Sequence, residues 1–354
     1  MQDFTYTSHP GRIVFGRGRI AELGEEVARL GARRVLVVAT PEQAALAERA
    51  AGLIGDACVA TFAGAAMHTP VEVTELAMQT VEAEAIDALV AIGGGSTIGL
   101  AKAIALRTDL PQIAIPTTYA GSEMTPIIGE TSNGAKVTQT TLSVLPEVGI
   151  YDVDLTLSLP TVLSGTSGIN AIAHAVEALY ARDRNPVISL MAAEGTRALF
   201  EALPVIAKHP VDLTARTQAQ YGAWLCGICL GAVGMALHHK LCHTLGGSYD
   251  LPHAETHTVV LPHALAYNAP AVPEAIATLK TALGTDDPAL ALQQLGRTMG
   301  APASLRELGL AEVDIEGTVE KTLSAPYWNP RTLEREALHD ALRRAWAGEA
   351  PSGD

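Results

Sequence analysis

The chain is poor in cysteine, in aromatic residues and in clustered positive charge, and each shortage removes a class of function. Four cysteines, Cys58, Cys226, Cys229 and Cys242, occur in 354 residues, too few and too scattered for a disulfide framework, which suits a reducing compartment. Cys226 and Cys229 form a CxxC, but no second pair accompanies them and both fall in an apolar helical run, so they read as small core residues. Aromatics make up 4% and charged residues 18% of a chain that is 48% hydrophobic; Ala, Gly, Val and Leu dominate, as in an α/β enzyme with small buried side chains. No basic stripe is present, and a net charge of -14 excludes nucleic acid as partner. The start Met-Gln-Asp-Phe-Thr carries no leader pattern, and the expectation is a cytoplasmic protein. The nearly uncharged stretch Tyr221 to Leu237 is not read as a membrane span, because Gly222, Gly227, Gly231 and Gly234 dilute it and it runs on into His238-His239-Lys240 as if one helix continued. A buried central helix is expected there.

The length favours two domains with an active site in the cleft between them. Residues 1–153 alternate β-branched runs with Ala-rich stretches and predict an α/β nucleotide-binding domain. Strands are expected over Arg34 to Ala39, Cys58 to Phe62, Ala88 to Ile92 and Gln112 to Ile115. Helices should open at Thr40-Pro41-Glu42 and at Thr69-Pro70, with Thr69 as N-cap. Residues 154–354 predict an all-helical catalytic domain, with helices over 161–182, 186–208, 212–245, 270–284, 288–299 and 333–347. The tail from Gly348 to Asp354 is expected to be disordered.

Strand Ala88 to Ile92 runs into Gly93-Gly94-Gly95-Ser96 and a helix, a turn that lets backbone amides approach a phosphate. It differs from GxGxxG, so an ordinary Rossmann site is not implied. The next strand ends in Pro116-Thr117-Thr118-Tyr119-Ala120-Gly121-Ser122-Glu123. Two consecutive strand ends with phosphate-compatible loops favour a dinucleotide over loops that only satisfy their own backbone.

His238, His239, His243, His253 and His257 crowd into one short stretch, and Asn170 and His174 stand upstream. Asn170 and His174 share one helical face, as do His239 and His243, while His253 is placed in a turn after Gly246-Gly247 end the helix. Three imidazoles and an oxygen could ligate a divalent metal. The oxygen, however, is a neutral carboxamide, which leaves the ion without an anionic partner. The cluster then reads as cationic anchors and proton donors.

These residues together resemble the iron-type (group III) alcohol dehydrogenases over nearly the whole chain. The likeness is carried by Arg12-Ile13-Val14-Phe15-Gly16, GGGS at 93–96 with Ala101-Lys102, Pro116-Thr117-Thr118, the NxxxH and HxxxH helices and PHxxxH. The resemblance implies a dehydroquinate synthase-like fold, an α/β nucleotide-binding domain followed by an all-α domain, and a nicotinamide cofactor. It implies that Gly94, Gly95 and Ser96 hold the pyrophosphate, that Thr117, Thr118 and Ser122 line the nucleotide site, and that Lys136 lies near the ribose. Family metal ligands would fall at Asn170, His174, His239 and His253. Asn170 in place of Asp, Gly99 where GGGSxxD has Asp, and the loop TTYAGSEMTP are departures similar to the maleylacetate reductase branch, so no metal is expected to be obligatory. The resemblance also implies an Asp at the end of the first strand that selects NAD over NADP; here the strand ends Ala39-Thr40-Pro41 without one, so NADH remains the first choice and NADPH is left open.

The activity so implied is reduction of the conjugated C=C bond of maleylacetate, giving 3-oxoadipate in aromatic compound degradation. His243 is the expected general acid, with His174, His239, His253 and His257 around the substrate carboxylates and Lys240 or Arg331 as weaker candidates. A metal-dependent alcohol dehydrogenase and a noncatalytic nucleotide-binding protein are the alternatives. A small dicarboxylate is the expected partner, with no membrane, and a homodimer through the first domain's edge strand is the expected assembly.

Overall fold

The computed structural model describes residues 4–9, 11–132 and 135–353, the side chains of residues 135 and 136 excepted. It separates into two compact units, Ser8–Leu159 and Pro160–Asp354 with the segment up to Thr7.

In the α/β unit the chain runs β1 (Arg12–Gly16), α1 (Leu23–Arg29), β2 (Val35–Val38), α2 (Ala44–Ile54), β3 (Cys58–Phe62), α3 (Val71–Ala83), β4 (Ala88–Gly93), α4 (Gly95–Thr108) and β5 (Gln112–Pro116). An antiparallel hairpin of β6 (Ile127–Ser132) and β7 (Ala135–Thr140) precedes β8 (Val148–Asp152). Six strands form a parallel sheet in the order β1-β8-β5-β4-β2-β3. The strands β2, β4, β5 and β8 are buried along their whole length, because helices cover both faces and alternate residues feed two cores. Val35, Val37, Val90, Ile92, Ile113 and Ile150 pack on one face with Leu23, Val27, Ala47 and Ala50. Leu36, Val38, Leu89 and Ala91 pack on the other with Ala77, Val81, Ile98 and Ile104.

Asp152 accepts hydrogen bonds from the amides of Gly18, Ile20 and Asp154 and holds the turn Val153–Thr156 against the strand it follows. One expectation is corrected here. Thr69 is not a helix cap: α3 begins after Pro70 with no side-chain cap, and Thr69 sits in the left-handed region at φ 48° with its carbonyl accepting from Thr131 N.

The helical unit contains α5 (Thr161–Tyr180), α6 (Pro186–Lys208), α7 (Leu213–Ala232), α8 (Leu237–Tyr249), α9 (His253–Asn268), α10 (Pro273–Leu283), α11 (Pro288–Thr298), α12 (Asp314–Ser324) and α13 (Arg335–Ala347). The expected single helix over 212–245 is two, broken at residues 233–236 and bent by 91°. Among the described residues no single helix is long and apolar enough to cross a membrane. Gly246 and Gly247 lie inside α8, which ends instead at Asp250 in the left-handed conformation, and His253 is the first residue of α9 rather than part of a turn. Helices α9 and α12 were not anticipated. Cys226 and Cys229 are fully buried free thiols, and burial pushes Cys229 up to about 12, which matches the core reading. The tail is tied down rather than loose: Gln293 and Arg297 donate to the carbonyls of Glu349 and Gly348, Arg343 pairs with Glu349, and Arg331 donates to Gly353 O.

Candidate active site

At the carboxyl edge of the α/β sheet, β2 and β4 are neighbours, and the chain leaves them in opposite directions, to β3 and to β5. Open α/β sheets bind ligands at such a switch point. Here β4 delivers the glycine turn to α4, whose N-cap is Gly94. A Cβ on Gly93 would stand 2.3 Å from Thr97 Oγ1 and 2.5 Å from Gln43 Oε1, so the position admits only glycine. Gly95 is exposed and Ser96 half-buried, with nothing nearer the Gly95 side-chain position than Ala120 Cβ at 3.9 Å. Thr97 N and Ile98 N both donate to Gly94 O at 3.1 Å, so the amides of Gly95 and Ser96 are the ones that no turn of α4 can satisfy, and the buried Thr97 Oγ1 has no hydrogen-bond partner among the described residues. Open amides, the helix dipole and this orphaned hydroxyl fit a pyrophosphate.

The neighbouring loop divides its labour. Thr117 Oγ1 accepts from Gln43 Nε2 at 2.8 Å and Thr117 N donates to Gly93 O at 3.0 Å, so Thr117 braces the turn. Thr118 is half-buried with its methyl 3.0 Å from the side-chain position of Gly94. Ser122 is half-buried, and its carbonyl is held by Lys102 Nζ, which also donates to Thr125 O, Thr125 Oγ1 and Ile127 O at 2.7, 2.9 and 3.0 Å. Burial lowers Lys102 to about 7. Sequence reasoning gave Gln43 no part and placed Lys102 only in a motif. Lys136 falls in β7, with its side chain outside the described residues.

Gly99 stands where alcohol dehydrogenases carry Asp, and the structure gives a steric reason. A Cβ there would meet Thr69 Oγ1 at 2.4 Å, and Thr69 is itself buried.

The helical unit assembles the histidines. Helix α5 contributes Asn170 and His174, α8 contributes His238, His239 and His243, and α9 contributes His253 and His257. Ring centroids lie 5.2 Å apart for His174–His239, 5.0 Å for His239–His257, 6.1 Å for His239–His243 and 4.2 Å for His253–His257. The five proposed histidines therefore form one cluster, and Asn170 precedes His174 by one turn of α5. The cluster has a buried floor of Asn170, His174, His239 and His257 and an exposed rim of His243 and His253.

The expected cationic pocket needs correction. Burial, followed by repulsion from neighbouring imidazoles, holds His174, His238 and His257 well below the ordinary histidine range, so these rings are neutral at pH 7 and meet a substrate as hydrogen-bonding groups. Arg331 is not available as an anion anchor: it donates to Tyr267 O at 2.7 Å and stacks on the Tyr267 ring at 4.5 Å. Lys240, part-exposed on α8, lies 5.6 Å from the Tyr327 ring centre.

Two residues at the cluster were missed. Tyr327 places its hydroxyl 2.9 Å from His243 Nδ1; nothing in the local sequence links that loop to α8. Burial and then Glu177 raise the Tyr327 phenol above its ordinary range, so it keeps its proton. Glu177, fully buried on α5, accepts from His239 Nδ1 at 2.7 Å, and its place one turn after His174 was a legible signal.

The donor set bears on a metal. Asn170 Oδ1, His174 Nδ1, His239 Nε2 and His257 Nε2 are buried without partners among the described residues. Three imidazoles and a carboxamide fit a divalent ion by donor type, while supplying no negative charge to it. His238, Cys242 and His257 also bring donor atoms within 4.8 Å of one another. There, however, the sulfur is 3.8 and 4.0 Å from the two ring nitrogens of His238, beside the ring rather than along a lone pair.

The whole chain has close relatives. Residues 10–153 match the family model for iron-containing alcohol dehydrogenase, and residues 164–346 match that for the Fe-containing alcohol dehydrogenase family, C-terminal. A maleylacetate reductase of Rhizobium sp. (strain MTP-10005) is 55% identical over 99% of this chain and 100% of its own, and one of Rhodococcus opacus is 46% identical over 99% and 98%. The crystal structure of maleylacetate reductase from Agrobacterium tumefaciens superposes with a TM-score of 0.96 at 54% identity, covering 99% of this chain and 100% of that one. With the parallel sheet, the helical unit and the histidine cluster in the order described, the chain belongs to the iron-containing alcohol dehydrogenase family.

Proposed function

We propose that this chain is a nicotinamide-dependent reductase of maleylacetate, converting it to 3-oxoadipate. The observation that carries the reading is Asn170 at the head of the histidine cluster, in a chain 55% identical over nearly full length to maleylacetate reductases. A neutral carboxamide suits a reaction in which charge spreads into an enolate, since a delocalised enolate needs less Lewis-acid help than an alkoxide. A divalent ion held by Asn170, His174, His239 and His253 would supply carbonyl polarisation, and the reading does not require it.

NADH bound at the glycine turn would supply the hydride, added at the alkene carbon β to the ketone, and NADPH use stays open because the strand ends Ala39-Thr40-Pro41 without the Asp that the family resemblance implies there. The enolate is then protonated by His243. To give that proton His243 acts as the imidazolium: Nδ1–H donates to the Tyr327 hydroxyl oxygen 2.9 Å away, Nε2–H passes to the enolate, and a neutral imidazole is left. His253 shares the exposed rim, and with Lys240 it is the nearest source of donors for the substrate carboxylates. A cytoplasmic role in aromatic compound degradation and a homodimer through an edge strand of the α/β unit complete the proposal.

The deciding experiment is NADH oxidation by the purified protein with maleylacetate, with and without chelator. Turnover insensitive to chelator is expected. Loss of turnover in chelator with restoration by iron or zinc would favour a metal-dependent dehydrogenase, and cofactor binding without turnover would overturn the enzyme reading.

A further inference from the structure

The carboxylate of Glu177 makes three hydrogen bonds inside the helical unit, all at 2.7 Å. Oε2 accepts from Ala236 N and from His239 Nδ1, and Oε1 accepts from His238 N. Ala236 is the N-cap of α8 and offers no side-chain cap of its own. The sharp break between α7 and α8 leaves the first amides of α8 to be satisfied from elsewhere, and Glu177 reaches across from α5 to do it. An anion is well placed at a helix N-terminus. The same carboxylate holds the imidazole of His239, the third residue of α8.

A carboxylate has no proton to give, so His239 must carry its proton on Nδ1. Its Nε2, buried and without a partner among the described residues, then presents a lone pair. His243, one turn on, faces a neutral group instead: its Nδ1 lies 2.9 Å from the Tyr327 hydroxyl, which can give or take the proton. We infer that Glu177 is a positioning residue, which fixes the start of α8 and the Nδ1 proton of His239 so that His239 works through Nε2 as an acceptor. The carboxylates of an anionic substrate then bind at the rim, at His253 and Lys240, and not at His239. Buried partners of this kind set tautomer and orientation, and their loss typically costs about 10–100-fold in activity.

The inference rests on the proposed reaction only for its effect on turnover. Long-range 15N spectra of the full chain above pH 8, with His239 assigned by comparison with His239→Gln, should show a protonated Nδ1 and a bare Nε2. In Glu177→Gln the carboxamide oxygen can still accept from His238 N while the NH2, in the place of Oε2, turns to Nδ1 and gives up the bond from Ala236 N. The His239 proton should then move to Nε2. The expected kinetic result is a kcat lower by about 10–100-fold, with KM for NADH altered less than about threefold and cooperative unfolding retained. A wild-type His239 protonated on Nε2 overturns the inference, as does a Glu177→Gln variant with unchanged spectrum and kcat. Should that variant fail to fold, the wild-type spectrum decides alone. If the wild-type protein does not turn over maleylacetate, the proposed reaction falls, and the spectrum still decides the role of Glu177.

Discussion

The Tyr327 hydroxyl is 2.9 Å from His243 Nδ1, and the two residues come from a loop and a helix far apart in the chain. The pair fixes which nitrogen of His243 can give a proton. Removing the acid should cost about 100- to 10,000-fold in kcat, so His243→Ala is expected to fall in that range with NADH binding unchanged. Tyr327→Phe keeps the ring and loses one hydrogen bond, roughly 1 kcal/mol, and should lower kcat by about tenfold or less. Stopped-flow reduction with both variants checks the order. A Tyr327→Phe variant as impaired as His243→Ala would make Tyr327 the proton donor instead.

Thr69 and Gly99 exclude each other's alternatives. With Thr69 Oγ1 2.4 Å from where a Cβ would stand, Gly99→Ala overpacks a buried site and should destabilise the protein by about 1–3 kcal/mol. The hydroxyl is the obstacle, since Thr69 Cβ is 3.7 Å away. Thr69→Ala should therefore rescue most of the loss. A double-mutant cycle by urea denaturation measures this, and additive effects would show that the contact is not the cause.

How far the sequence could be read follows from which signals are local. The strands β2 to β5 were legible because each is a short run of mainly apolar residues with β-branched members, closed by glycine, proline or a polar turn. The NxxxH and HxxxH pairs were legible because helical spacing puts both residues on one face. The break in α7–α8 was not, since Val233-Gly234-Met235-Ala236 is apolar and carries no proline, and the anion that caps the new helix lies on α5. Helix α9 was hidden because it is buried on nearly every side and shows no periodic polar face. The charge state of the histidines was misread for a related reason: burial depends on neighbours from three helices, and local sequence shows only that imidazoles are numerous.

His263, buried on α9 beside Arg344, gives a pH test away from the candidate site. Burial first, and then Arg344, lower it to about 4, against about 6.5 for an unfolded histidine. Between those values the unfolded chain binds a proton that the folded chain refuses, so stability falls as pH drops from about 6.5 towards 4. At pH 5 the loss from this residue should be about 2 kcal/mol relative to pH 7.5. His263→Gln should lose less stability between these two pH values by about that amount. Equal losses in denaturant titrations of the two proteins would refute the assignment.

Asn170 separates the metal reading from the metal-free one. Its Oδ1 is buried and lacks a partner among the described residues, and on the same helix Glu177 already places one negative charge in the interior. Asn170→Asp would add a second with no cation to meet it. An unpaired buried charge costs several kcal/mol, so the metal-stripped variant should melt well below the wild-type protein. Divalent zinc or iron should then restore it, because binding to the folded state alone stabilises by mass action, and calorimetry should show metal affinity at least about tenfold above that of the wild-type chain. The wild-type melting temperature should hardly respond to chelator. If it drops in chelator as the variant's does, the three histidines and Asn170 already hold a metal tightly, and the carboxamide is a ligand in its own right.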